Sequence, residues 1–135
     1  MTCDFCDIAA GTGPATIVAE WPDALAILPR PDAAGRRGCT DGHILVLPRA
    51  HVADFAADPM VTAATMARAA QLAARLATDT TDFNIITSKG AAATQTVWHL
   101  HVHLIPRRSG DGLALPWNNE PVTASLAHHD DGSRS

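Results

Sequence analysis

Apolar residues along this chain fall into several short runs of strand length and one long stretch of helical spacing. Residues 15–20 are rich in β-branched side chains, residues 24–28 and 43–48 are apolar runs, and residues 82–87 form another, so each predicts a strand. The first two, joined by Trp21-Pro22-Asp23, should pair as a hairpin. Residues 59–77 instead repeat apolar side chains at helical spacing, with Asp58 as N-cap and Pro59 in the first turn. Thr65, Arg68, Gln71 and Arg75 fall on one side of this helix. Met66, Ala69, Ala70, Leu72, Ala73 and Leu76 fall on the other, which suits packing on a sheet. A shorter helical turn over residues 7–10 ends at Gly11-Thr12-Gly13-Pro14. The sum is an α+β domain: an antiparallel sheet of about five strands with one main helix and a short N-terminal helix.

The last predicted strand, residues 98–106, carries the chemistry. Successive side chains of a strand point to opposite faces, so His99, His101 and His103 would share one face and Leu100, Val102 and Leu104 the other. The leucine face reads as core. Neighbouring imidazoles would lie about 6.6 Å apart, a spacing suited to gripping a metal or one small anionic group. The bland alternative is a wet strand face that happens to carry histidines.

Composition narrows the partners. With 135 residues the chain fits one domain, spanning residues 1–118, with a flexible tail over residues 119–135. A net charge of -4 and 18% charged residues give no bulk attraction to nucleic acid or to an anionic membrane, so a small-molecule partner is expected. The N-terminus is acidic and no apolar run approaches the roughly 18 residues that would span a bilayer, which predicts a cytoplasmic protein. Its three cysteines would then stay reduced. Cys3 and Cys6 are either metal ligands or two ordinary thiols. From Pro29 to Gly42 the chain turns to Pro, Gly, Arg and Asp, a long loop whose Arg30, Arg36 and Arg37 either meet phosphate or are simply solvated.

His-x-His-x-His, preceded by Gln95-Thr96-Val97-Trp98 and followed by Ile105-Pro106-Arg107, resembles the signature of the histidine-triad (HIT) family of nucleotide hydrolases and transferases. Cys3-x-x-Cys6, the segment from Gly42 to His51, and Gly110-Asp111-Gly112-Leu113 with Trp117 resemble its HINT-like branch. The resemblance implies a HIT-like fold and a nucleotide hydrolase that cleaves at the α-phosphate of nucleoside phosphoramidates or dinucleoside polyphosphates. His101 would be the nucleophile, forming a covalent nucleotidyl-histidine intermediate, with His103 and His43 against the phosphate oxygens. Gln95 and Thr96 would donate hydrogen bonds there. Ile27, Leu28, Pro29, Ser88 and Trp117 would complete the substrate site. Cys3, Cys6, His51 and His99 would hold a structural Zn2+. A purine nucleotide, adenosine-containing in the family's usual case, and a homodimer are the implied partners.

Departures accompany the matches. Where the family has an Asp that binds the ribose hydroxyls this chain has Pro29, and its Asn and Gly before the triad are Ser88 and Thr94 here. Asp32 or the loop arginines would take over those contacts. A non-catalytic nucleotide-binding or scaffold protein that keeps fold and zinc is the alternative function, and a metal held by the triad itself a third.

Overall fold

The computed structural model describes residues 2–117; the expected tail over residues 119–135 lies outside the described residues. Its elements are α1 (Asp4–Ala9), β1 (Ile17–Glu20), β2 (Ala24–Ile27), β3 (Ile44–Pro48), α2 (Pro59–Leu76), β4 (Asp82–Ile86), a 3-10 turn at Ala91–Ala93, and β5 (Val102–Arg107). The five strands form one sheet in the order β1-β2-β3-β5-β4, every neighbouring pair antiparallel. No helix among the described residues is long and apolar enough to cross a membrane.

Alternation along the central strands divides the core in two. Ala26, Ile44, Val46, Val102 and Leu104 face α2 and pack on Ala69 and Leu72. Leu25, Ile27, Leu45 and Leu47 face the other way, against Phe5 and Ile8 of α1. Each fully buried leucine, such as Leu25, Leu47 or Leu104, contributes roughly 1.5–3 kcal/mol relative to exposure. The first core is the larger, because α2 offers five turns and α1 fewer than two. The short helix cannot cover its face of the sheet, and the uncovered part becomes the pocket described below.

Asp58 caps α2 as expected, its carboxylate accepting from the N–H groups of Met60 and Val61 at 3.1 and 3.4 Å. The helix face differs from expectation. Thr65 is buried against the sheet, while Ala70 and Leu76 are exposed. Thr65 tolerates burial because its hydroxyl donates to the Val61 carbonyl at 2.8 Å, which hides the one polar group the apolar reading counted against it.

The helix α1 also starts earlier than expected. Cys3 is its N-cap, and the thiol sulfur accepts from the Cys6 N–H at 3.4 Å, so Cys-x-x-Cys occupies the first turn. The Pro29–Gly42 segment is an ordered clip. The Asp32 carboxylate accepts from the N–H groups of Ala34 and Arg36, both at 2.9 Å, and Pro31 bridges to Arg37.

Candidate active site and metal centre

The extended stretch expected from Trp98 to Pro106 is interrupted. Residues 97–99 bend, the Leu100 N–H donates to the Val52 carbonyl at 2.7 Å, and pairing in the sheet begins only at Val102. Leu100, Val102 and Leu104 are buried as core. The histidines, however, do not stand in one row. His99 is turned into one cluster, and His101 and His103 into another.

The first cluster gathers Cys3, Cys6, His51 and His99, whose ligand atoms all lie within 4.8 Å of one another. Cys6 Sγ lies 3.2 Å from His51 Nδ1 and 3.5 Å from His99 Nδ1, Cys3 Sγ lies 3.5 Å from His99 Nδ1, and the two Nδ1 atoms are 3.2 Å apart. A tetrahedral zinc with Zn–S of about 2.3 Å and Zn–N of about 2.0–2.1 Å has S···N edges of about 3.6 Å and N···N edges of about 3.3 Å. The donor set and its spacing therefore fit such an ion. His99 is prepared for the task, since its Nε2–H donates to the Pro48 carbonyl at 2.8 Å and leaves the Nδ1 lone pair directed into the cluster.

The second cluster lies on the α1 side of the sheet. His101 Nδ1 is 2.8 Å from the His99 carbonyl oxygen. A carbonyl only accepts, so the ring proton sits on Nδ1 and Nε2 keeps a free lone pair. His43 Nδ1 accepts from the Cys39 N–H at 3.1 Å, which puts that ring's proton on Nε2. His43 Nε2 then donates to His103 Nδ1 at 3.0 Å, and His103 carries its own proton on Nε2. Burial lowers the pKa of His43 and His101, and burial with the neighbouring His101 and His43 lowers His103 to about 4. All three are neutral at pH 7. The result is one acceptor nitrogen on His101 beside one donor N–H on His103, ring centroids 5.1 Å apart.

Both histidines line a pocket of about 650 Å3, together with Phe5, Ile8, Ile27, Leu28, Leu45, Thr96 and Val97. Its walls are mostly apolar, with polar groups at the histidines, at Asp4, Thr16 and Thr96, and on the loop after β2.

The expected site residues are only partly gathered here. Ile27, Leu28 and Thr96 line the pocket with His101 and His103, and His43 stands behind His103. Pro29 is buried beside the pocket. Gln95 is outside the lining; its Oε1 accepts from the Gly90 N–H and its amide donates to the carbonyls of Ala53 and Val97, clamping the loop that presents Thr96. Ser88 is half-buried and Trp117 is 78% exposed, and neither lines the pocket. Of the loop residues Asp32 and Arg36 pair with each other at 3.1 Å, away from the lining, whereas Arg30 and Arg37 are part of it.

Other residues matter that pattern reading passed over. Phe5 meets the His101 ring edge-on, 5.1 Å between centroids at 89°. It sits between the two cysteines in sequence, and that position was its signal. Thr87 donates its hydroxyl to the His101 carbonyl at 2.8 Å. Gly38 (φ +77°) presses its Cα hydrogens toward His43; a Cβ there would fall 2.3 Å from Nδ1. Only a glycine fits.

Comparison with known proteins agrees with this arrangement. A family model of the HIT domain matches residues 12–110. An uncharacterized HIT-like protein of Mycobacterium tuberculosis is 40% identical over 118 residues, covering 85% of this chain and 78% of its own. An adenosine 5'-monophosphoramidase of Schizosaccharomyces pombe is 31% identical over 133 residues, covering 91% and 88%. A zinc-bound histidine triad family protein from Mycobacterium smegmatis superposes with a TM-score of 0.68 at 37% identity, with 98% of each chain covered. On the family model, the sequence relatives and the shared fold, the chain belongs to the HIT family.

Proposed function

We propose that the protein is a nucleotide hydrolase that cleaves nucleoside phosphoramidates or dinucleoside polyphosphates at the α-phosphate through a nucleotidyl intermediate on His101. One observation carries this reading: the hydrogen bond from His101 Nδ1 to the His99 carbonyl, which leaves Nε2 as a neutral nucleophile in the pocket. Its lone pair forms a bond to phosphorus, and the P–N or P–O bond to the leaving group breaks. Water then displaces His101. Over the cycle the nucleotide gains the hydroxyl and the leaving group gains the proton. His103, held by His43, donates its Nε2–H toward the phosphoryl oxygens, and the exposed Thr96 hydroxyl adds a second donor.

The metal in this reading is a structural zinc on Cys3, Cys6, His51 and His99, supported by the ligand spacing and by the zinc-bound relative. It supplies no chemistry to the substrate. Because α1 bears both Cys6 and Phe5, fixing the cluster fixes the ring that packs on His101. The nucleoside is taken to be adenosine, in line with the named activity of the fission-yeast relative. The reading extends to a homodimer: Ile85 on edge strand β4 and Trp117 are exposed apolar side chains with no cover in their own chain among the described residues.

Intact-mass spectrometry of protein quenched seconds after mixing with adenosine phosphoramidate tests it. A gain equal to one AMP in the wild type, absent in His101→Ala, is expected. No gain and no released AMP would replace the hydrolase with a nucleotide-binding protein of the same fold.

A further inference from the structure

Besides its histidines, the pocket is lined by three charged residues, Asp4, Arg30 and Arg37. Arg30 lies 3.4 Å from the Asp4 carboxylate. Among the described residues Arg37 has no such partner. Among the described residues Arg30, Arg36, Arg49, Arg68, Lys89, Arg107 and Arg108 each lie within 4.0 Å of a carboxylate, which leaves only Arg37 and Arg75 without one. Arg75 is on the exposed last turn of α2, outside the pocket lining. Arg37 is therefore, among the described residues, the one cation at the pocket without a carboxylate beside it.

It is also held in place. Its Nη1 donates to the Pro29 carbonyl at 3.1 Å, its backbone bridges to Pro31, and the turn between them is closed by Asp32. The far end of the clip is fastened by Thr40, whose hydroxyl donates to the Pro106 carbonyl at 2.9 Å, and by the Cys39 N–H on His43. Among the described residues nothing accepts from Nε or Nη2 of Arg37. A preorganised guanidinium with free donors on a pocket rim is a phosphate-recognition group, because it loses little freedom on binding and offers planar, paired hydrogen bonds.

We infer that Arg37, seconded by Arg30, forms a subsite for a second phosphate group of the nucleotide, in addition to the phosphate that reacts at His101. This rests on the nucleotide reading above and narrows it. Mono-phosphorylated nucleotides leave the subsite empty. A second phosphate reaches it from either of two places: the ribose, since Arg37 is tied to Pro29 just after the pocket-lining Ile27 and Leu28, or the 5' chain, since the same clip ends on His43.

Titration calorimetry on the zinc-loaded wild type with AMP, adenosine 3',5'-bisphosphate and α,β-methylene-ADP tests this and separates the two sources. One of the two doubly phosphorylated ligands should bind at least about tenfold tighter than AMP, the scale of one charge-assisted pair. The one that does so identifies where the second phosphate sits. In Arg37→Ala that ratio should fall to within about threefold of unity, while Arg36→Ala, a change in the same turn, should preserve it. Equal affinity of all three ligands for the wild type, or a ratio untouched by Arg37→Ala, overturns the subsite and leaves the nucleotide reading intact. Failure of AMP and both other ligands to bind removes the nucleotide reading itself, and the subsite with it.

Discussion

The chain builds two histidine clusters side by side, and the same side chain serves different ends in each. His99 and His101 are two residues apart. In His99 the Nε2–H donates to a backbone carbonyl and Nδ1 is left facing Cys3, Cys6 and His51; in His101 the Nδ1–H donates to a backbone carbonyl and Nε2 is left to face the pocket. His43 shows the reverse case, with a backbone N–H filling one nitrogen so that the other must donate. The role of an imidazole here follows from which backbone group reaches which of its nitrogens. The proposed metal cluster joins thiols and imidazoles from three segments and would bear on folding, whereas the pocket cluster is three neutral rings and is the proposed seat of reactivity.

The widest separation between the two should come from parallel alanine variants. His101→Ala is expected to lower turnover by about 10^4-fold or more, as removal of a nucleophile does, with zinc content unchanged. His99→Ala should lose zinc, and with it about 4 kcal/mol of stability at free zinc a thousandfold above its dissociation constant. Metal analysis, melting temperature and turnover, measured on both proteins, check this. Zinc loss from His101→Ala would merge the two clusters into one.

A smaller effect should appear on acidification. His103 titrates near 4 in the folded protein because burial and the neighbouring rings disfavour its charged form, against about 6.5 in an unfolded chain. Between those values the unfolded state binds more protons, so this contribution is complete above about pH 6.5 and is lost as pH falls toward 4. It amounts to at most about 3 kcal/mol. Denaturation curves for the wild type and His103→Gln at pH 7 and 5 should show the variant losing less stability, the zinc cluster's own acid sensitivity being common to both. A parallel loss would mean that His103 is not held neutral by its surroundings.

The finest test touches the pocket cluster alone. Gly38→Ala puts a Cβ into His43 and should reduce kcat by about 10–100-fold through displaced His43 and His103, with zinc content retained. Kinetics and metal analysis of that one variant would show whether the loop after β2 belongs to the catalytic side.

Much of this was legible in the chain itself. Most strand and helix positions followed from apolar spacing, and the triad with its neighbours pointed to the family. That Cys3, Cys6, His51 and His99 would meet was legible only through that resemblance, since four residues spread over that span have no local signature. What spacing could not show was the bend at residues 97–99. Alternation assumes an unbroken strand, and the hydrogen bond from Leu100 to Val52 is a long-range event. The placing of Gln95 is another such event: an amide flanking a triad reads as a substrate donor, while its partners Gly90, Ala53 and Val97 are set by tertiary folding. The loop from Pro29 to Gly42 read as open chain, and Asp32 closed it. Thr94, at φ 74°, keeps a left-handed turn where glycine would be easier, a strain that composition gives no hint of.

The spread of the metal ligands has a kinetic consequence. Cys3 and Cys6 are near neighbours, but His51 lies 45 residues beyond Cys6 and His99 another 48 beyond that. An unfolded chain can offer an ion only the two thiolates at small entropic cost; the two imidazoles arrive after long loops have closed and β3 and β5 have paired. On the zinc reading proposed above, tetrahedral coordination would therefore be a late event of high contact order. Its completion would report that the strand bearing His101 is already seated.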